Sequence, residues 1–173
     1  MVRYADDLVI LCQSEEEALR GLEKVGEWVE TNGLKLHTDK TRIIDASQSG
    51  GFDFLGYHFE RGKKWPRQKS MDKLKDAIRG KTRRTQGRSL SKICQDLNRT
   101  LVGWYGYFQH SNKHVFARVD RYVRGRLRSI LRQRHGGKGR GRGRDHQRWP
   151  NDYFHTRGLV SLSQSHRVAC QSP

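Results

Sequence analysis

The sequence predicts an α+β chain in which a small unit of β-hairpin, helix and strands precedes an all-α three-helix bundle and a basic tail. Three observations lead there. The spacing of apolar residues changes from a period of about 2 to about 3.6 near Lys69. The charge changes sign: residues 1–60 carry 6 Lys and Arg against 12 Asp and Glu, whereas residues 61–173 carry 29 against 6. After Gly136, glycine then alternates with Lys138 and arginines from Gly137 to Arg144. The predicted organisation is 1–61, 62–135, a Gly/Arg-rich linker over 136–145, and a tail over 146–173.

Each element follows from its residues. Leu8 to Cys12 is a short β-prone run. Ser14 is a capping residue with Glu17 three positions on, and Ala18, Leu22, Val25 and Val29 follow at helical spacing. That pattern predicts a helix over Glu15 to Thr31, ended by Asn32-Gly33. Arg42-Ile43-Ile44 and Phe52 to Phe59 read as strands, with Ser49-Gly50-Gly51 as the turn between them. In the second of these the apolar phase slips, since Phe52 and Phe54 alternate while Leu55, Tyr57 and Phe59 continue on the opposite parity. Gly56 therefore reads as a bulge or sharp bend.

Beyond Lys69, Met71, Leu74 and Ile78 outline a short helix. Leu90, Ile93, Cys94, Leu97, Leu101, Trp104, Tyr105 and Phe108 outline a long one with Ser89 as its cap. Phe116, Val119, Val123, Leu127, Ile130 and Leu131 outline a third, and three such helices in succession make a small bundle. The glycine-rich segment cannot hold a helix against its backbone entropy and reads as a flexible basic linker. Trp149, Tyr153 and Phe154 return aromatic bulk to the tail, which predicts that the tail docks.

The formal net charge is +17 and the sequence pI about 10.4. So positive a second half repels itself unless a polyanion neutralises it, which makes nucleic acid the leading partner. The longest uninterrupted apolar run is Leu8 to Cys12, far short of the roughly 20 residues that a bilayer span needs. No membrane partner is expected. Cys12, Cys94 and Cys170 are odd in number and scattered, so a reducing compartment is expected rather than a disulfide framework. On the third bundle helix Arg118, Arg121, Arg124, Arg128 and Arg132 recur at steps of three or four and share one face, with Asp120 the only acid nearby. Such a row can track a phosphate backbone.

Tyr4-Ala5-Asp6-Asp7 lies between Val2-Arg3 and the run Leu8 to Cys12. Adjacent aspartates flanked by β-prone segments belong at a hairpin tip. Two-metal phosphoryl transfer needs hard oxygen ligands, because Mg²⁺ prefers carboxylates and water in octahedral geometry. Asp6 and Asp7 have that chemistry.

Taken in order, Arg3-Tyr4-Ala5-Asp6-Asp7, Gly33-Leu34-Lys35-Leu36 with Asp39-Lys40-Thr41, and Phe52-Asp53-Phe54-Leu55-Gly56-Tyr57 resemble the back half of a reverse transcriptase palm. Leu101-Val102-Gly103-Trp104-Tyr105-Gly106-Tyr107-Phe108 resembles the thumb, or maturase-specific domain, of group II intron-encoded proteins. Arg148-Trp149-Pro150-Asn151, with Tyr153-Phe154 and Gly158-Leu159, resembles tails of bacterial members.

The resemblance implies a partial palm, a helical thumb, and Mg²⁺-dependent RNA-directed DNA synthesis coupled to intron splicing. It assigns catalytic metal to Asp6 and Asp7, and positions beside the primer end and incoming nucleotide to Tyr4 and Ala5. Lys40 matches a candidate proton donor to pyrophosphate, and equally reads as a surface lysine. Phe54, Leu55 and Gly56 match a primer-grip hairpin, although their bulk also reads as core. Trp104, Tyr105 and Phe108 read as bundle core before base-stacking platforms. The implied partners are group II intron RNA, an RNA template with its DNA primer, and dNTPs, in a bacterial cytoplasm.

The family's third metal-binding aspartate lies upstream of the stretch matched here, and no residue of this chain corresponds to it. No Cys-x-x-Cys occurs, and His146, His155 and His166 are not at zinc spacing. Three readings stay open on the sequence: a polymerase and maturase segment, a non-catalytic RNA-binding module in residues 61–173, and an inert remnant of a truncated reading frame.

Overall fold

The computed structural model describes residues 1–171. The chain divides into two compact units, Met1–Lys63 and the remainder from Lys64. The first is built from local signals. Strands β1 (Val2–Tyr4) and β2 (Asp7–Val9) pair antiparallel in the register Val2↔Val9, Arg3↔Leu8, Tyr4↔Asp7. The β-prone run therefore stops at Val9.

Helix α1 (Glu15–Thr31) has the predicted bounds. Glu17 N donates to Ser14 Oγ at 3.2 Å, and the Glu17 carboxylate accepts from Gln13 N at 2.8 Å, so two backbone donors at the helix start are satisfied. At the other end Gly33 N donates to Glu30 O and Leu34 N to Val29 O, with Gly33 at φ +68. This paired closure uses up the last carbonyls and turns the chain away.

Two readings of this unit are corrected. Phe52 to Phe59 is not one strand. It is a hairpin of β3 (Phe52–Phe54) and β4 (Tyr57–Glu60), with Leu55 at φ +47 and Gly56 at φ +81 as its two-residue turn. The phase slip is that turn: Phe52 faces Phe59 with rings stacked at 5.2 Å, and on the opposite face His58 Nδ1 lies 2.7 Å from Asp53 Oδ1. Arg42-Ile43-Ile44 forms no strand. It is irregular and Ile43 stays exposed, because a strand exists only where another backbone takes up its hydrogen bonds. Among the described residues of this unit only Val29 is buried.

The second unit carries the core. After β5 (Lys63–Pro66), which the hydrophobic pattern did not reveal, come α2 (Gln68–Lys81), α3 (Leu90–Phe108) and α4 (His114–Arg134). These are the three predicted helices. Ser89 Oγ accepts from Lys92 N at the start of α3. Ile78, Ile93, Leu97, Leu101, Phe116, Val123, Leu127 and Ile130 are buried together. Trp104 and Tyr105 pack on them half-buried, with the Tyr105 ring 5.3 Å from Phe116.

Three further helices belong to the same core: α5 (Arg144–Arg148), α6 (Asn151–His155) and α7 (Leu162–Gln171). Phe154 in α6 and Leu162 in α7, with Trp149 and Leu159 in the connections, are buried in it, so the tail docks through its aromatics and leucines. Two polar clamps fix its path. Asn98 of α3 donates from Nδ2 to Gly158 O at 2.6 Å and accepts from Val160 N at 3.0 Å. Asp120 of α4, only 5% exposed, accepts from Leu162 N, Ser163 N and Ser161 Oγ at 2.8–3.1 Å. Its carboxylate therefore meets unpaired donors and positive partial charge where α7 begins.

Asp120→Ala removes three hydrogen bonds to a buried anion, and should cost about 2–3 kcal/mol of stability. Urea unfolding measures the loss, and amide exchange at Leu162 and Ser163 should accelerate before that of Leu97 in α3.

Candidate functional site

The acidic turn is made by geometry as much as composition. Arg3 and Tyr4 end β1, Ala5 takes φ +50 with Arg3 Nε donating to its carbonyl at 3.1 Å, Asp6 completes the turn, and Asp7 opens β2 opposite Tyr4. All four residues from Tyr4 to Asp7 are exposed. Neither carboxylate has a hydrogen-bond or ion-pair partner among the described residues, and Tyr4 is 65% exposed beside them. Two hard oxygen donors on a tight turn suit a divalent cation. Among the described residues no group of three or more His, Cys, Asp and Glu comes together, so the pair stands without a third such ligand.

The other residues predicted for this site lie on separate local structures. Lys40 is exposed in a turn where its backbone N–H donates to His37 O at 3.1 Å. No hydrogen bond or ion pair joins it to Asp6 or Asp7 among the described residues. Phe54 ends β3, and Leu55 and Gly56 form the half-buried turn that follows.

On α4 the arginine row splits. Arg118 and Arg121 are exposed and Arg124 half-exposed, and none has a side-chain partner among the described residues. Arg128 is 5% exposed: Nε donates to Trp149 O and Nη2 to Asn151 Oδ1, both at 2.9 Å, and its guanidinium lies 5.2 Å from the Phe154 ring centre. Burial, and after it the Arg124 charge, pulls the Arg128 guanidinium below its usual range. Arg132 donates from Nε to Lys138 O at 2.8 Å and from Nη1 to Asp145 Oδ2 at 2.5 Å.

One face of a helix thus presents cations outward at its start and spends them inside the fold at its end. From Leu127 to Leu131 every residue is buried, so another segment covers α4 there on more than its apolar side, which the even spacing of the arginines in the sequence did not reveal. Two arginines outside the row also serve the fold. Arg126 donates to Thr82 Oγ1 and Thr82 O at the end of α2, and Arg134 donates to Arg88 O.

Comparison with known protein families adds two matches. Residues 1–59 match the reverse transcriptase (RNA-dependent DNA polymerase) family, and residues 71–149 match the group II intron, maturase-specific domain. No curated protein matches the chain. The class so defined is a polymerase segment followed by an intron-maturase domain. The chain belongs to the group II intron reverse transcriptases and maturases.

Asp145 ties the segment after α4 together, and its pH behaviour follows from its partners. The Arg142 backbone N–H, and next the Arg132 guanidinium, hold its carboxyl below the ordinary carboxylate value. A carboxyl lowered in the folded state contributes stability that is present above its unfolded value and lost as pH falls through the lowered one. Acidification should therefore loosen this segment, with amide exchange at Arg142 rising relative to that at Leu127. Asp145→Asn should remove the pH dependence of that ratio.

Proposed function

We propose that the chain works as an RNA-directed DNA polymerase and splicing maturase segment, gripping intron RNA and template–primer through phosphates while Asp6 and Asp7 serve nucleotidyl transfer. One observation carries the reading: an unpaired acidic pair on a turn and a strongly basic helical unit follow one another in the order of the two matched families. Arg118, Arg121 and Arg124 contact phosphate oxygens and set position on the nucleic acid rather than reading sequence. A-form duplexes suit such recognition, because their shape and backbone are what a protein surface reaches.

Asp6 and Asp7 would hold Mg²⁺, which when bound stabilises charge on the transferring phosphoryl group. Tyr4 and Ala5 border the primer end and the incoming dNTP. The Leu55-Gly56 turn, with Phe54 before it, supports the primer strand. Lys40 supplies a proton to the departing pyrophosphate. A second reading, that the chain acts only as an RNA-binding module, is favoured by the distribution of burial, since the second unit holds the core and Met1–Lys63 buries only Val29 among its described residues.

Primer extension on an RNA template with Mg²⁺ separates the two. Extension by the wild type that falls about 100-fold or more in Asp6→Ala, the rate equivalent of several kcal/mol of charge stabilisation, supports the catalytic reading. No extension by the wild type, with RNA binding retained, leaves the binding module.

A further inference from the structure

The glycine-rich segment that reads as a linker is tied down along the last turns of α4. Gly137 N donates to Arg132 O at 2.9 Å, Arg132 Nε to Lys138 O at 2.8 Å, and Ser129 Oγ to Gly139 O at 3.3 Å. Asp145 then accepts from both Arg132 and Arg142 N, and Arg128 holds Trp149 O at the far end.

The alternation of the sequence has a physical reason here. A Cβ at Gly137 would lie 2.7 Å from Arg132 Cγ, closer than a side chain can sit unless something shifts, and one at Gly141 would lie 3.0 Å from Arg128 Cβ, a tight approach that α4 would have to give way to. Gly139, between them, takes φ +82, and Gly143, after Gly141, takes φ +33. The even positions Lys138, Arg140, Arg142 and Arg144 are all exposed. None of their side chains has a hydrogen-bond or ion-pair partner among the described residues. The one acid nearby, Asp145, is already engaged by Arg132.

We propose that Lys138, Arg140, Arg142 and Arg144 form a preshaped phosphate-binding rim for RNA, separate from the Arg118, Arg121 and Arg124 row, and that Arg132 and Asp145 hold it in shape. The inference rests on the reading of this unit as RNA-binding. Four cations on a fixed backbone lose less conformational freedom on binding than four on an open chain. The three guanidiniums can take phosphate oxygens two at a time. Each phosphate neutralised releases counterions, so the rim contributes to the salt dependence of binding in proportion to the cations that engage.

The test uses the full chain and a labelled RNA stem–loop, with affinity measured across a series of KCl concentrations. Substitution of Lys138, Arg140, Arg142 and Arg144 together by Gln should flatten the slope of log affinity against log salt by about 3, with the thermal midpoint unchanged. Asp145→Asn separates a shaped rim from loose charge. It makes the chain more positive, so loose charge would bind more tightly, whereas a rim that has lost its brace binds several-fold more weakly.

An unchanged slope in the fourfold variant overturns the inference. If Arg118, Arg121 and Arg124→Gln flattens the slope at the same time, the RNA-binding reading still stands. A wild type with no salt-dependent RNA affinity removes both. Tighter or unchanged binding by Asp145→Asn overturns the bracing role. Loss of binding to phosphatidylserine vesicles with the RNA slope intact would assign the rim to a lipid surface instead, and so overturn it.

Discussion

Two charged side chains buried on one helix, Asp120 and Arg128, organise the tail from Trp149 onward. A buried charge is tolerated only when its hydrogen-bonding capacity is met, and here both are met by backbone and side-chain groups of the tail. Asp120 has the start of α7 as its partner, while Arg128 has the stretch from Trp149 to Asn151. The tail buries few apolar side chains, chiefly Trp149, Phe154, Leu159 and Leu162 with Tyr153 and Val160 packed beside them, and apolar burial alone would leave its path loosely determined. Directional bonds to two points on α4, with Asn98 of α3 as a third, determine it.

This division of labour explains how the positive charge is used. Arginines at the covered end of α4 are structural, each neutralised or hydrogen-bonded within the fold. Those at its exposed end and along the glycine-rich segment have no side-chain partner among the described residues, and a polyanion would relieve their mutual repulsion. Exposed and buried arginines occur at the same helical spacing, so periodicity alone could not sort one from the other.

The elements legible in the sequence were those whose signals are local. Ser14, Glu17, Asn32 and Gly33 mark both ends of α1 because caps act within a few residues, and the bundle helices show because their apolar stripes repeat. The Tyr4–Asp7 turn was legible for the same reason. The hairpin at Leu55 was hidden by an apolar residue in a left-handed turn position, where Asn or Asp is the usual sign. Arg42-Ile43-Ile44 misled because strand propensity says nothing of whether a pairing partner exists. Asp120 and Arg128 could not be read at all: their partners lie about 20 to 40 residues away, and only the packed fold brings them together.

The glycine–cation alternation also sets a reading frame at the level of shape. Removing one residue between Gly137 and Arg144 would bring arginines where the chain grazes α4 and leave glycines facing water, so a single-residue deletion there is a far graver lesion than the replacement of any one cation. Insertions or deletions of two residues would keep the parity.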